Sequence, residues 1–568
     1  MLRRWVALAL LLMVALPASR AAAQGVQSGG AVRTNLPGES AGVPTEQGDF
    51  APLPDRWRIE PPPYQLNVKG HWWDPYNQNV LKGDYPIFGQ DVFMRLTGAS
   101  KTLLEGKSAP TPSGVSAKNP GSFTFFGNDD AIIFDQKLIG RIDLQKGATS
   151  YRPFDWQATV EGVYDVNHLS VYENGVVNPN PGEGTDRTVS DAALQEASFE
   201  LHLMNLSDNY DFVSTKVGRQ PFNSDFRSLI FSDTNQGARI FGTANNNRYQ
   251  YNLLYFYQAE KDTNSELNSF RLRDQQVAVA NLYIQDFLTL GYTTQFSFHY
   301  NRDDGKESGF TFDRQGFLVR PDPVGIAKPH NLDVYYLGWT SDGHIGFLNV
   351  SHALYQALGH DTDNPIAGRP VGINGQLGFL ELSVDHDWQR YQTSVFVTSG
   401  DDNPRNGTAR GFDSIMDFPE ILGGEASYWH RQSVRIADRG GVALMQRDSV
   451  IPDLRSSKIQ GQSEFVNPGI LIVNAQASFD LTPKLRALGN INYIRFMDTE
   501  PLEILLKQPN IRKDVGIDIG ALVEYRPLLN NNIILKGYAA VLQPIGGFQD
   551  IYSGATLFQA GTEVALVF

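Results

Sequence analysis

"WQATVEGVYDVN", residues 156–167, alternates along its whole length. Trp156, Ala158, Val160, Gly162, Tyr164 and Val166 fall on one side of an extended chain, and Gln157, Thr159, Glu161, Asp165 and Asn167 on the other. A helix would scatter these residues around its axis, whereas a strand sorts them into a dry face and a wet face. The same split recurs at 292–301, where Tyr292, Thr294, Phe296, Phe298 and Tyr300 oppose Thr293, Gln295, Ser297, His299 and Asn301. It recurs again at 514–526, with Val515, Ile517, Ile519, Ala521, Val523 and Tyr525 against Asp514, Asp518, Glu524 and Arg526.

About 18 segments of this kind can be marked, starting near residues 88, 131, 154, 192, 209, 236, 247, 274, 289, 331, 344, 374, 388, 469, 484, 512, 531 and 556. Their length, about 10 to 14 residues, suits tilted membrane-crossing strands rather than the roughly 5 or 6 residues usual in soluble sheets. Links between them alternate. Short ones occur at "DFLTL" (286–290), "SDGH" (341–344), "DHDW" (385–388), "DLTPK" (480–484) and "RPLLNNN" (526–532), and long ones lie between, culminating in 401–468. The expectation is an all-β chain: a single large transmembrane antiparallel β-barrel of about 18 strands, with short periplasmic turns and long extracellular loops. Sixteen strands is the alternative, should the segment near 236 or near 88 fail to span.

The last eight residues, "GTEVALVF", end on a strand with Val564, Leu566 and Phe568 in alternate places. They resemble the C-terminal assembly signal of bacterial outer-membrane barrels, which implies the barrel-assembly machinery as a partner and pairing of the last strand with the first. At the other end, Arg3 and Arg4, an apolar run from Trp5 to Leu16 and small residues at 21–23 read as a secretory signal peptide over 1–23, for Sec-type export. Residues 24–86 read as a periplasmic arm, and 87–568 as the barrel. Within the arm, His71, Trp72, Trp73, Asp74, Tyr76 and Asn77 mix aromatic and polar groups, as suits either an aromatic anchor or a short plug tucked into the lumen.

The chain has no cysteine, which removes disulfide stapling and thiol chemistry. Its formal charge of -14 becomes more negative once Arg3, Arg4 and Arg20 leave with the signal, which disfavours nucleic acid as a partner. No G-x-S-x-G, H-E-x-x-H or Walker A motif occurs, so the chain is not read as an enzyme. A barrel-wall hydrolase built on His202 or His299 is retained as an alternative. In "SGDDNPRNGTARGFDSIMD" (399–417), Asp401, Asp402, Asn403 and Asp413 offer hard oxygen ligands for calcium, without the regular spacing of a calcium loop.

That loop, with "KVGRQPFNSDF" (216–226) and "ARIFG" (238–242), resembles the alginate-export family of outer-membrane barrels. The resemblance implies a monomeric, wide, passive conduit in outer-membrane lipid and lipopolysaccharide. Alternation places on the lumen wall Asp135, Lys137, Arg141, Asp143, Glu161, Asp165, Glu200, Lys216, Glu381, Asp385, Asp480, Arg486, Asp514, Asp518, Glu524, Arg526 and Lys536. A polyuronate conduit should be basic, and this wall is mixed and slightly acidic. The expected function is therefore a porin-like channel for small hydrophilic solutes, saccharides among them, of neutral or weakly cationic character. Alternatives are a hydrophobic-substrate transporter with an N-terminal hatch and an adhesion or structural barrel.

Overall fold

A computed structural model describes residues 78–108, 130–147, 153–209, 211–431, 458–552 and 554–568. The signal segment and the plug residues from His71 to Asn77 lie outside the described residues. Eighteen long strands form one closed antiparallel barrel. They are β1 (Val92–Ser108), β2 (Asp130–Lys146), β3 (Trp156–Val171), β4 (Asp186–Asn205), β5 (Phe212–Asn223), β6 (Ser232–Ala244), β7 (Tyr249–Lys261), β8 (Asn268–Ile284) and β9 (Tyr292–Asp304). The second half comprises β10 (Asn331–Ile345), β11 (Leu348–Asp361), β12 (Val371–His386), β13 (Gln389–Thr398), β14 (Ile470–Thr482), β15 (Leu485–Phe496), β16 (Asp514–Tyr525), β17 (Ile533–Pro544) and β18 (Leu557–Val567). Each strand pairs with its successor, and β18 pairs with β1 from Ala99↔Val567 to Lys107↔Gln559. Both doubtful segments, now β1 and β6, span.

At one end the links are tight. Two-residue turns at Gly346–Phe347 and Asp387–Trp388 use left-handed backbone, with φ of 63° at Gly346 and 52° at Asp387, which matches the twist of the flanking strands. "SDGH" proves to be the last part of β10, with the turn just beyond it. On the outer wall every strand exposes at least one large apolar side chain, for example Leu104, Leu138, Val160, Val217, Ile240, Leu253, Leu337, Leu354, Val473, Ile519 and Leu566. Aromatic pairs reinforce this surface across strands: Phe296 stacks on Trp339 at 6.4 Å and Tyr300 on Tyr335 at 4.9 Å.

The inner wall departs from the uniformly wet face read from the alternation. In β10, Leu332, Val334 and Tyr336 point inward and are fully buried, while Tyr335 and Leu337 beside them are exposed outside. Their partners come from links that fold into the barrel. The hairpin β5–β6 is short beside β4, and the link 224–231 turns inward from its tip, placing Leu229, Ile230 and Phe231 in the interior. The link after β13 runs alongside it: the Ile415 and Met416 N–H groups donate to the Ile230 carbonyl, and Phe418 N–H donates to that of Ser228. Phe412, Ile415, Met416, Tyr428, Trp429, Ile459 and Phe465 complete one buried cluster with Phe256, Val334, Tyr336 and Ile472 of the wall. At about 1.5–3 kcal/mol for each large side chain buried, this packing makes the inward links a fixed part of the interior.

A short strand, Lys82–Phe88, forms a hairpin with the start of β1 and occupies the edge of β1 below the point where β18 ends. Leu96 N–H donates to the Leu81 carbonyl, while Gly98 and Phe568 exchange backbone hydrogen bonds at 2.8 and 3.3 Å. The Lys82 ammonium sits 5.4 Å from the Phe568 ring centroid. Deleting Phe568 is therefore expected to lower the heat-modifiable folded fraction in membranes while leaving export unchanged, and Lys82→Ala is expected to have a smaller effect of the same sign. Wild-type yield and gel migration for the deletion would remove Phe568 from any role in closure.

Candidate channel lining

One half of the lumen is a wall of paired charges on β1 to β5. Arg141 is its hub: its guanidinium lies 3.1 Å from Asp143, 3.3 Å from Glu161 and 2.8 Å from Glu196. Arg95 of β1 also donates to Asp143 at 2.9 Å, and Thr159 Oγ1 donates to the other carboxylate oxygen at 2.7 Å. Lys216 of β5 donates to Glu196 at 3.0 Å, and Lys137 donates to Asp135 at 2.9 Å and stands 3.5 Å from Asp165. Glu200 lies opposite Lys216 in the β4–β5 pair. Water reaches this wall: the Arg95 side chain is 51% exposed, and those of Arg141 and Glu161 are about a quarter exposed. The structure thus brings Asp135, Lys137, Arg141, Asp143, Glu161, Asp165, Glu200 and Lys216 together on one face.

Glu196, a central member, escaped the sequence reading. Glu161 pairs with Glu196 but Gly162 pairs with Leu194, so a bulge at Gln195 switches the inward parity of β4 from odd to even numbers. Asp191 faces inward above the bulge and Glu196, Ser198 and Glu200 below it. The signal was a break in the alternation near "ALQEAS", residues 193–198.

The other half of the lumen is built by the inward links and the groups that hold them. Asp518, fully buried, accepts from Ser427 Oγ at 2.5 Å, Tyr428 N–H at 3.0 Å, Trp429 N–H at 3.4 Å and Asn492 Nδ2 at 3.1 Å. Lys536 donates to Glu425 at 2.8 Å. A Cβ at Gly520 would run into the Ala426 carbonyl oxygen, so the absence of a side chain there lets the link lie flat on β16. Glu381 receives Arg227 at 2.6 Å and Gln392 at 2.7 Å, which ties the tip of 224–231 to β12. Asp225 caps that tip by accepting from the backbone of Arg227, Leu229 and Ile230. Burial pushes its carboxyl above the ordinary range, and those N–H groups offset part of the rise. Glu381, Asp518 and Lys536 are thus inner-wall residues whose contacts are spent on holding the inward links.

Asp385, Arg486 and Glu524 sit near the tight-turn rim, in pairs with Arg390 at 2.5 Å, Asp480 at 3.9 Å and Arg526 at 2.7 Å. Asp514 leaves the lumen altogether. A bulge places Arg495 opposite Asp514, so Asp514 turns to the outer face, where it accepts from Tyr493 Oη at 2.5 Å.

The calcium set does not converge. Asp401 accepts from the backbone of Asn403 and Arg410 at 3.0 and 3.1 Å and so folds its own loop, while Asp402 and Asn403 are exposed. Burial pushes the Asp401 carboxyl up. Both oxygens of Asp413 are engaged, one by the Lys458 ammonium at 3.0 Å and the Ser414 N–H, the other by Glu464 N–H at 3.1 Å, away from Asp402 and Asn403. Among the described residues no group of three or more His, Cys, Asp or Glu is arranged to hold a metal. Neither predicted histidine meets a serine and an acid. His299 is fully buried with both ring nitrogens unbonded, and His202 Nε2 is 2.9 Å from Asn205. A Ser–His contact does form on the outer face, between Ser341 and His352 at 2.5 Å with Tyr292, and among the described residues no acid joins it.

No protein-family model and no curated protein matches the chain. Among solved structures it is similar to OccK9 (OpdG) of Pseudomonas aeruginosa, at 10% identity over 84% of this chain and 98% of that one, with a TM-score of 0.45. It is similar to a BenF-like porin of Pseudomonas fluorescens Pf-5, at 10% identity over 84% and 98%, with a TM-score of 0.45. It is also similar to OccK2 (OpdF) of Pseudomonas aeruginosa in complex with glucuronate, at 11% identity over 84% and 98%, with a TM-score of 0.44. None of these three is described as an alginate exporter. Likenesses of this strength leave the chain's function to its own geometry.

Proposed function

We propose that the chain is a bacterial outer-membrane channel for passive passage of small hydrophilic solutes, saccharides among them. One observation carries this reading: a closed barrel whose outer wall exposes apolar side chains on every strand encloses a partly exposed wall of charged pairs facing inward links packed on an apolar core. The outer wall belongs in lipid, because a soluble protein does not expose apolar side chains around its whole circumference. The inner wall suits solutes that trade hydrogen bonds with water for hydrogen bonds with paired charges. Its acids outnumber its bases, which favours neutral or weakly cationic solutes over the polyanions implied by the alginate-export resemblance.

On this reading the signal peptide directs Sec export, the tight-turn end and both chain ends face the periplasm, and the barrel is a monomer surrounded by lipid and lipopolysaccharide. Val564, Leu566 and Phe568 serve as the assembly signal.

Conductance in planar bilayers tests the constriction. Asp518→Ala leaves the donors of Ser427, Tyr428, Trp429 and Asn492 without their acceptor, at about 1–3 kcal/mol for each buried group left unpaired. Gly520→Leu displaces the same link sterically. Both variants are expected to raise single-channel conductance while keeping heat-modifiable migration, and wild-type conductance in both would mean that residues 423–431 do not restrict the path.

Ion preference tests the wall. Glu161→Gln with Glu200→Gln is expected to move reversal potentials toward anion preference, by an amount that shrinks as salt screens over roughly 8–10 Å. Asp514→Asn, on the outer face, is expected to change nothing. A protein that passes neither ions in bilayers nor sugars in liposome swelling would overturn the channel reading.

A further inference from the structure

We propose a binding site for a hard cation, calcium by its ligand chemistry, on the inner wall of β2 and β3 where the link 262–267 lies against it. In the β2–β3 pair Asp135 stands directly opposite Asn167, and Lys137 opposite Asp165, so all four side chains share one patch. Asp135 is 3% exposed, and Asp165, Asn167 and Asn264 are fully buried. Asn167 Nδ2 donates to Asp165 Oδ1 and reaches the Asn264 carbonyl at 3.4 Å, which brings the link onto the patch. Lys137 Nζ donates to Asp135 Oδ2 at 2.9 Å and has Asp165 Oδ2 at 3.5 Å.

What remains on the patch is a surplus of acceptors. Asp135 Oδ1, Asp165 Oδ2 and Asn167 Oδ1 accept no hydrogen bond, and on the adjoining link both the oxygen and the nitrogen of the buried Asn264 amide are unbonded. Asp135 and Asp165 share the Lys137 ammonium, which Glu266 of the link also faces at longer range, so negative charge is left over in a place that water barely reaches. Buried charge without a counter-charge is costly, and acceptors without donors add to that cost. Water would supply donors but no positive charge. A divalent cation supplies the charge and takes oxygen ligands from carboxylates, amides and residual waters together. Calcium tolerates irregular sets of this kind, whereas magnesium demands a near-octahedral shell and gives up water reluctantly. Glu266, on the same link, adds a third acid within electrostatic reach of Lys137, the amides of Asn167 and Asn264 would supply neutral oxygens, and the ion would fasten the link 262–267 to the wall. This site is independent of the channel reading, since it follows from ligand chemistry alone.

Full-length mature protein in detergent, stripped with a chelator, would be titrated with calcium chloride by calorimetry and melted with and without the ion. One site is expected, half-saturated at about 0.1–1 mM, the range of extracellular calcium modules, with a higher melting temperature when filled and weaker binding of magnesium. Asp165→Asn is expected to weaken binding at least about tenfold, in keeping with affinity tracking ligand charge. Asn264→Ala, on the link, should weaken it several-fold and carries the test if Asp165→Asn does not fold. Lys137→Gln removes the competing ammonium and should tighten binding. Absence of heat and of a melting shift in the wild type up to about tenfold above that range, or equal affinity in wild type and Asn264→Ala, overturns the site.

Discussion

The structure depends on one constraint: in hydrocarbon no backbone N–H or C=O can be left to water, so the sheet has to close. Closure here is the pairing of β18 with β1, and it fixes much else. Once the first strand must meet the last, strand number, tilt and register are linked, and every strand has one face in lipid and one in the lumen. The alternation of residues 156–167 is the imprint of that requirement on the sequence. So are the tight turns at one end, where Gly346 and Asp387 adopt left-handed backbone to return the chain directly.

A barrel of this width would be a wide hole if its loops stayed outside. Instead the links 224–231 and 399–431, with 458–469, fold inward and divide the interior between two kinds of chemistry. On the β8–β15 side they meet an apolar inner wall and form a core like that of a soluble domain, with Phe231, Phe412 and Trp429 buried. On the β1–β5 side the wall remains charged and hydrated. On the proposed channel reading, solute would pass between the packed links and a wall whose charges are mostly paired, so passage would require exchange of partners rather than capture by a lone charge.

The architecture was largely legible because period-two alternation is repeated at every strand and any single error is diluted. The observed strands begin within a few residues of the positions read from alternation, the largest departures being β4 and β8. Side-chain facing was less secure, because a single extra residue reverses it. Bulges near Gln195 and Val515 hid Glu196 and sent Asp514 outward. The apolar half of the lumen was illegible for a different reason: in "LDVYYL", residues 332–337, both faces are apolar, and nothing in the strand itself tells lipid from a buried loop. The roles of Asp518 and Lys536 were hidden in the same way, since their partners Ser427 and Glu425 lie far away in sequence and meet them only after the link folds in.

The hairpin from Lys82 to β1 gives the two halves of one strand edge different histories. Its pairing with β1 is local and needs only a turn to form, so it is available as soon as that stretch of chain exists. The remaining part of the same edge waits for β18, the last strand of the chain, and must be matched across the largest loop the molecule contains. A nascent barrel would therefore carry a first strand already protected at one end and open at the other, with the open stretch ending at Gly98, where Phe568 must arrive. A hairpin formed first would act as a ruler, since any closure that slipped past Gly98 would have to displace its pairing with β1.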